Sequence, residues 1–120
     1  MSKFMLILHT IPSNWMNVSP EEIQRIVEKY QAWTEKIRAS GRFVVSDKLK
    51  DEGGKVLTLQ KGRLSVVDGP YSEAKEVVGG YFTIRAESYE EAIEFCRDCP
   101  HLNYGRIEIR QTDVLGCGGE

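Results

Sequence analysis

The chain has 120 residues, 41% hydrophobic and 28% charged, with a net charge of −2 and both signs interspersed. That length and balance predict one compact domain, and they exclude the one-sided basic footprint of a direct nucleic-acid binder. No apolar run reaches the roughly 20 residues of a membrane-spanning helix, and the first residues lack a small-residue cleavage pattern, so a cytoplasmic protein with no membrane partner is expected.

Lys3 to His9 (KFMLILH) is apolar at nearly every position, the pattern of a strand buried on both faces. Ser19-Pro20-Glu21-Glu22 starts a helix: serine caps, proline suits the first helical position, and Glu22 stands three residues after the cap. Ile23, Ile26, Val27, Tyr30, Trp33 and Ile37 then form one apolar stripe up to a glycine stop at Gly41. Phe43 to Val45 is a short extended segment and Ser46 to Gly54 a polar loop. Val56 to Leu59 and Leu64 to Val67 flank Lys61-Gly62, a hairpin signal. Tyr81 to Arg85 is a further strand, and a second capping box at Ser88 to Glu91 opens a helix that runs to about Cys99 and stops at Pro100. Arg106 to Arg110 (RIEIR) alternates strictly, as a half-exposed strand does. Residues 1–115 form the domain, and Gly116 to Glu120 a loose tail.

Three cysteines, an odd number, argue against a disulfide framework. Cys96 and Cys99 form a lone C-x-x-C near His101, with Cys117 in the tail. Without a second C-x-x-C or a thioredoxin-type βαβ context, Cys96 reads as a core residue and Cys99 as a helix end; no metal and no cofactor is expected. Tyr30 and Trp33 read as core, and His101 as a bystander in a loop.

The element order is therefore β-α-β(ββ)β-α-β, a ferredoxin-like α+β sandwich with an additional β-hairpin. Both helices would cover one face of the sheet. The first strand offers an apolar set to each face, Phe4, Leu6 and Leu8 or Met5 and Ile7, so one set would stay exposed in a monomer. That predicts a homodimer packed sheet to sheet, a dimeric α+β barrel.

The stretch DGPYSEAKEVVGGYF, Asp68 to Phe82, is longer than a hairpin link requires. With Leu64–Val67 as the second strand of the sheet, His9 and Asp68 would emerge at one edge, separated by about two strand spacings, near 10 Å. Gly79-Gly80 would lie between them, letting a small ligand approach the backbone. Tyr71 to Val77, carrying Glu73, Lys75 and Glu76, would fold over it beside Gly69 and Pro70. Asp68 and His9 are then the candidate acid–base pair, and the others candidate ligand contacts. The plainer readings stand beside this: Asp68 shapes its own turn, Gly79-Gly80 marks a bulge, residues 72–76 are a solvated turn, and His9 is a satisfied strand-end histidine.

The run VVDGPYSEAKEVVGGYFTIRAESYEEAIEFCRDCP resembles the signature of the DGPF (DGPFAETKE) family within the YCII-related superfamily. KFMLIL, the tryptophan-bearing helix, SDKL and RIEIRQ fit as well, so the resemblance covers nearly the whole chain. It implies a dimerising ferredoxin-like fold and, because some members adjoin sigma-factor-type regulators, a regulatory partner as one option. Asp68, Gly69, Pro70, Glu73, Lys75, Glu76, Gly79 and Gly80 match the motif, while Tyr71 replaces its phenylalanine. Some YCII proteins are thought to use a His–Asp pair on the first helix, and one branch removes halide from hydroxylated aromatic rings. Aligned on Gly41, this chain has Tyr30 and Ala39 there, so the resemblance carries over no catalytic pair.

Three function classes follow. They are a binding protein for a small metabolite in a cleft beside the Asp-Gly-Pro motif; an acid–base enzyme, lyase or isomerase-like, using Asp68 with His9 or Lys75; and an interaction module for a sigma-factor-type regulator.

Overall fold

The computed structural model describes residues 1–71 and 74–113. Strand β1 (Ser2–Thr10) leads through a 3-10 turn at Pro12–Trp15 into helix α1 (Pro20–Ala39), then β2 (Phe43–Lys48), β3 (Lys55–Gln60) and β4 (Arg63–Asp68). Strand β5 (Val77–Ala86), helix α2 (Tyr89–Cys96), a 3-10 turn at Pro100–Asn103 and β6 (Gly105–Gln111) follow. Both capping signals act as written. The Ser19 hydroxyl accepts from the Glu22 amide at 3.1 Å, and Ser88 accepts from Glu91 at 3.2 Å. Gly41, at φ 79°, ends α1 in the left-handed conformation that a side chain disfavours.

The main sheet has the order β2-β5-β1-β6, each neighbouring pair antiparallel, so β1 and β2 run parallel on either side of β5. This is the ferredoxin-like arrangement. Phe4, Leu6 and Leu8 of β1 and Phe82, Ile84 and Ala86 of β5 pack under Trp33 and Ile37 of α1 and Ala92 and Cys96 of α2. Each large apolar side chain buried there contributes about 1.5–3 kcal/mol. Trp33 also stands edge-on to Phe82 at 5.1 Å and donates its indole N–H to the Phe95 carbonyl at 3.2 Å, tying the two helices to the sheet. Cys96 and Cys99 are free and buried; burial pushes their thiols up to about 12 and about 11.

One placement expected from the sequence is corrected. The second strand of the main sheet is Phe43–Lys48, not Leu64–Val67, and it runs three residues into what reads as a loop. Among the described residues, strands β3 and β4 pair only with each other, as a separate two-stranded sheet. Lys61 and Gly62, both at positive φ (51° and 78°), make the tight turn whose twist suits a two-residue hairpin. Strand β5 begins at Val77, four residues before its expected start, and so includes Gly79-Gly80. Glu73, Cys117 and the expected tail lie outside the described residues.

Candidate functional site

Opposed residues of an antiparallel pair share a face, and the register sorts this sheet's two sides. Met5, Ile7 and His9 of β1 stand opposite Thr83, Tyr81 and Val78 of β5 and opposite Arg110, Glu108 and Arg106 of β6, on the side away from the helices. The strict alternation of RIEIR puts Ile107 and Ile109 against the core and its three charges on the open side.

His9 sits inside a ring of those charges. Its Nε2 donates to Glu108 Oε1 at 2.9 Å, and its Nδ1 lies 3.7 Å from Glu76 Oε1. Arg106 grips Glu76 with two parallel bonds of 2.7 Å each, and Arg110 reaches Glu108 at 3.2 Å. The hydrogen bond from Arg106 holds the Glu76 carboxyl below the usual range, and the bond from His9, seconded by Arg110, does the same for Glu108. With its side chain only 14% exposed, His9 is a sheltered imidazole oriented by a carboxylate. That is the arrangement of a general acid–base group.

The carboxylates around His9 are therefore Glu76 and Glu108, whereas Asp68 stands elsewhere. It closes the root of the β3–β4 hairpin opposite Lys55, forms an ion pair with that lysine, and is 82% exposed. Its neighbour Gly69 donates its amide to the Gly54 carbonyl at 2.9 Å and passes so close to Gly53 that a Cβ on either glycine would overlap the other's carbonyl. Asp-Gly-Pro thus marks where the hairpin crosses back over its own beginning. Lys75 is exposed. Gly79 is the bulged residue, since Leu8 faces Gly80 and His9 faces Val78. A Cβ on Gly80 would press on the Asp47 carbonyl of β2.

Beside this crossing lies a cleft of about 460 Å³. Leu49, Pro70, Val77 and Val78 give it apolar walls, Gly53 and Gly54 a backbone floor, and Lys50 and Glu52 its charges. Val78 both lines the cleft and stands in register with His9, so the cleft adjoins the His9 cluster across β5. Pro70 is thereby brought to the cleft; Asp68 and Gly69 stand at its root without lining it.

On the helix side, the second histidine is part of the framework. His101 Nε2 donates to the His9 carbonyl at 2.7 Å, so its Nδ1 is left to accept the Tyr30 hydroxyl at 2.8 Å. Gly105 has no side chain where the two meet. Burial pushes the His101 pKa down and the Tyr30 pKa up, so both are held neutral. His101 is therefore a buried, fully bonded residue, where the sequence suggested a loop bystander. Sequence reasoning also missed Glu108 and Arg106; period-two alternation gave their face, but only the β1–β6 register pairs them with His9. Among the described residues no group of three or more His, Cys, Asp or Glu is placed to hold a metal ion, and no helix is long and apolar enough to cross a membrane.

Comparison with known proteins adds three findings. The YCII-related domain family matches residues 2–113. An uncharacterized protein of Rhizobium meliloti (strain 1021), R00369, is 30% identical over 104 residues, covering 84% of this chain and 82% of that one. Among solved structures, the 5-chloro-2-hydroxyhydroquinone dehydrochlorinase TftG from Burkholderia phenoliruptrix AC1100, in complex with 2,5-dihydroxybenzoquinone, aligns over 92% of this chain and 93% of that chain. The TM-score is 0.48 at 16% identity.

Proposed function

The chain belongs to the YCII-related domain family, and from that footing we propose that it is a small-molecule-binding protein whose ligand lies in the cleft beside the Asp-Gly-Pro crossing. The observation that carries this reading is the cleft itself: about 460 Å³, apolar walls, and few polar anchors in Lys50 and Glu52. Its volume and mainly apolar lining support a small-molecule site. Pro70 builds its edge, while Gly79 and Gly80 let β5 run close to β1 and β2 behind it. Within the family, the Asp68 to Gly80 motif supports membership of the DGPF branch, and the half-buried Met5 and Ile7 on the open face support a sheet-to-sheet homodimer.

A second reading rests on the 2.9 Å contact between His9 and Glu108. Here the chain is an acid–base enzyme in which His9 exchanges the proton, Glu108 and Glu76 orient its ring, and Asp68 acts only on the hairpin root.

Ligand-observed NMR against a metabolite collection tests both. Compounds that bind wild type should lose at least about tenfold in affinity to Val78→Phe, which fills the cleft. Time-dependent conversion of a bound compound that disappears in His9→Gln would favour the enzyme. Binding that ignores the filled cleft would end the cleft reading.

A further inference from the structure

Among the described residues, the β3–β4 hairpin is an arm without a seat: its strands pair only with each other and make no more than glancing contact with the other elements. The radius of gyration, 16.4 Å, exceeds the roughly 14 Å of a compact chain of this length, as a projecting arm requires. An isolated two-stranded hairpin is marginal in water.

The arm's two faces differ. Ladder pairing puts Thr58 with Ser65 and Gln60 with Arg63 on one face, and Leu57 with Val66 and Leu59 with Leu64 on the other. Those last four side chains are 54–74% exposed. Val56 and Val67 pair on the Thr58 face, so the Leu57–Leu59–Leu64–Val66 face by itself leaves about 400 Å² of apolar surface to water, within the range of a monomer's largest and often functional patch. The same chain presents a second uncovered apolar region on the open sheet face, where Met5, Ile7, Val45 and Val78 lie between the charges of β6 and Asp47 of β2. An apolar centre inside a charged rim is the anatomy of an interface.

We propose that the Leu57–Leu59–Leu64–Val66 face of the arm docks on a second copy of this chain, each arm clasping the other protomer. Two arms and the surfaces they cover would bury about 1,600 Å², the size of a standard stable interface. A symmetric exchange satisfies every arm with one kind of contact and closes at two copies. A partner of another kind would leave the open face and the arm to be covered separately. The clasp has a consequence for the cleft, whose floor and edge, Gly53, Gly54 and Pro70, are the arm's root: a docked arm fixes the outer wall of the ligand site. The docking itself rests on the arm's exposure and does not depend on the ligand reading.

Sedimentation equilibrium across the micromolar range, with photo-crosslinking, tests it. The variant Leu59→Lys/Leu64→Glu removes apolar surface while its opposite charges face each other across the ladder and keep the hairpin paired. Wild type should be a dimer, and this variant should associate at least about hundredfold more weakly. Thr58→Lys/Ser65→Glu, the matched change on the other face, should leave the dimer intact. A photoreactive residue at position 59 should join light and heavy chains in an isotopic mixture. A monomeric wild type, a dimer indifferent to the leucine variant, or equal weakening by both arm variants would each overturn the proposal. Ile7→Asp separates the two interfaces: if it alone breaks the dimer, the sheet-face contact stands and the clasp falls.

Discussion

The two sides of the main sheet are built from one strand's alternate residues and have opposite fates. Phe4, Leu6 and Leu8 point under the helices and are buried, while Met5, Ile7 and His9 point the other way, Met5 and Ile7 only partly covered and His9 sheltered by the charges around it. Met5 and Ile7 are as apolar as the buried set; what differs is what lies above them. Amphipathic helices with strong caps supply the cover on one side. On the other side there is a charge cluster, a cleft and an arm that leaves the sheet. Stability should therefore reside on the first side, and binding on the second.

The largest test of that division compares neighbours in β1. Leu6→Ala opens a cavity in a fully buried position and should cost about 2–5 kcal/mol by denaturant melt at any protein concentration. Ile7→Ala, one residue on and on the open face, should cost clearly less in dilute protein, and its own loss should grow as concentration rises. Equal losses at high dilution would mean the open face is as much a core as the covered one.

How far this division can be read from the sequence depends on the range of the contacts involved. The caps at Ser19 and Ser88, the turn at Lys61-Gly62 and the alternation of β6 are local patterns, and each appears in the structure as read; the stripe of α1 does so through Ile26, Trp33 and Ile37, while Val27 on its edge is exposed. Sheet membership is not local. The composition of Leu64–Val67 cannot distinguish a strand that joins the main sheet from one that leaves it with its hairpin partner, and so the sequence suggests that run where Phe43–Lys48 belongs. The site is affected most, since Asp68 goes with its strand. The carboxylates that take its place around His9, Glu76 and Glu108, are fixed by a fork from Arg106 and by the β1–β6 register, contacts spanning 30 and 99 residues. The crossing of Gly53 and Gly69 is equally invisible, because neither glycine shows in isolation that the other's backbone is its neighbour.

That crossing gives a second, smaller test on the open side. Gly69→Ala must displace the Gly53 backbone, and overpacking of this kind costs about 1–3 kcal/mol. Amide exchange in residues 53–71 should rise together, because the arm loses its root. Asp68→Asn beside it should change stability by no more than about 0.5 kcal/mol, since its ion pair with Lys55 is exposed on both sides. If Asn at position 68 were as damaging as Ala at position 69, the carboxylate and not the backbone crossing would organise the motif.

The smallest effect comes from pH, and it belongs to the covered side. His101 is buried between the Tyr30 hydroxyl, the His9 carbonyl and Cys99, with no carboxylate among those partners, and burial pushes its pKa below the ordinary 6.5. A base whose folded pKa is depressed takes up its proton more readily when unfolded. Its stabilising share is therefore complete above pH 6.5 and is lost as pH falls through the folded value, at a slope of at most about 1.4 kcal/mol per pH unit. Glu76, Glu91, Asp98 and Glu108 are held below their usual ranges by their hydrogen-bonding partners, so their contributions fade only in more acid solution. His101→Gln, which keeps a donor for the His9 carbonyl, should flatten the slope just below pH 6.5 and leave the acid limb in place.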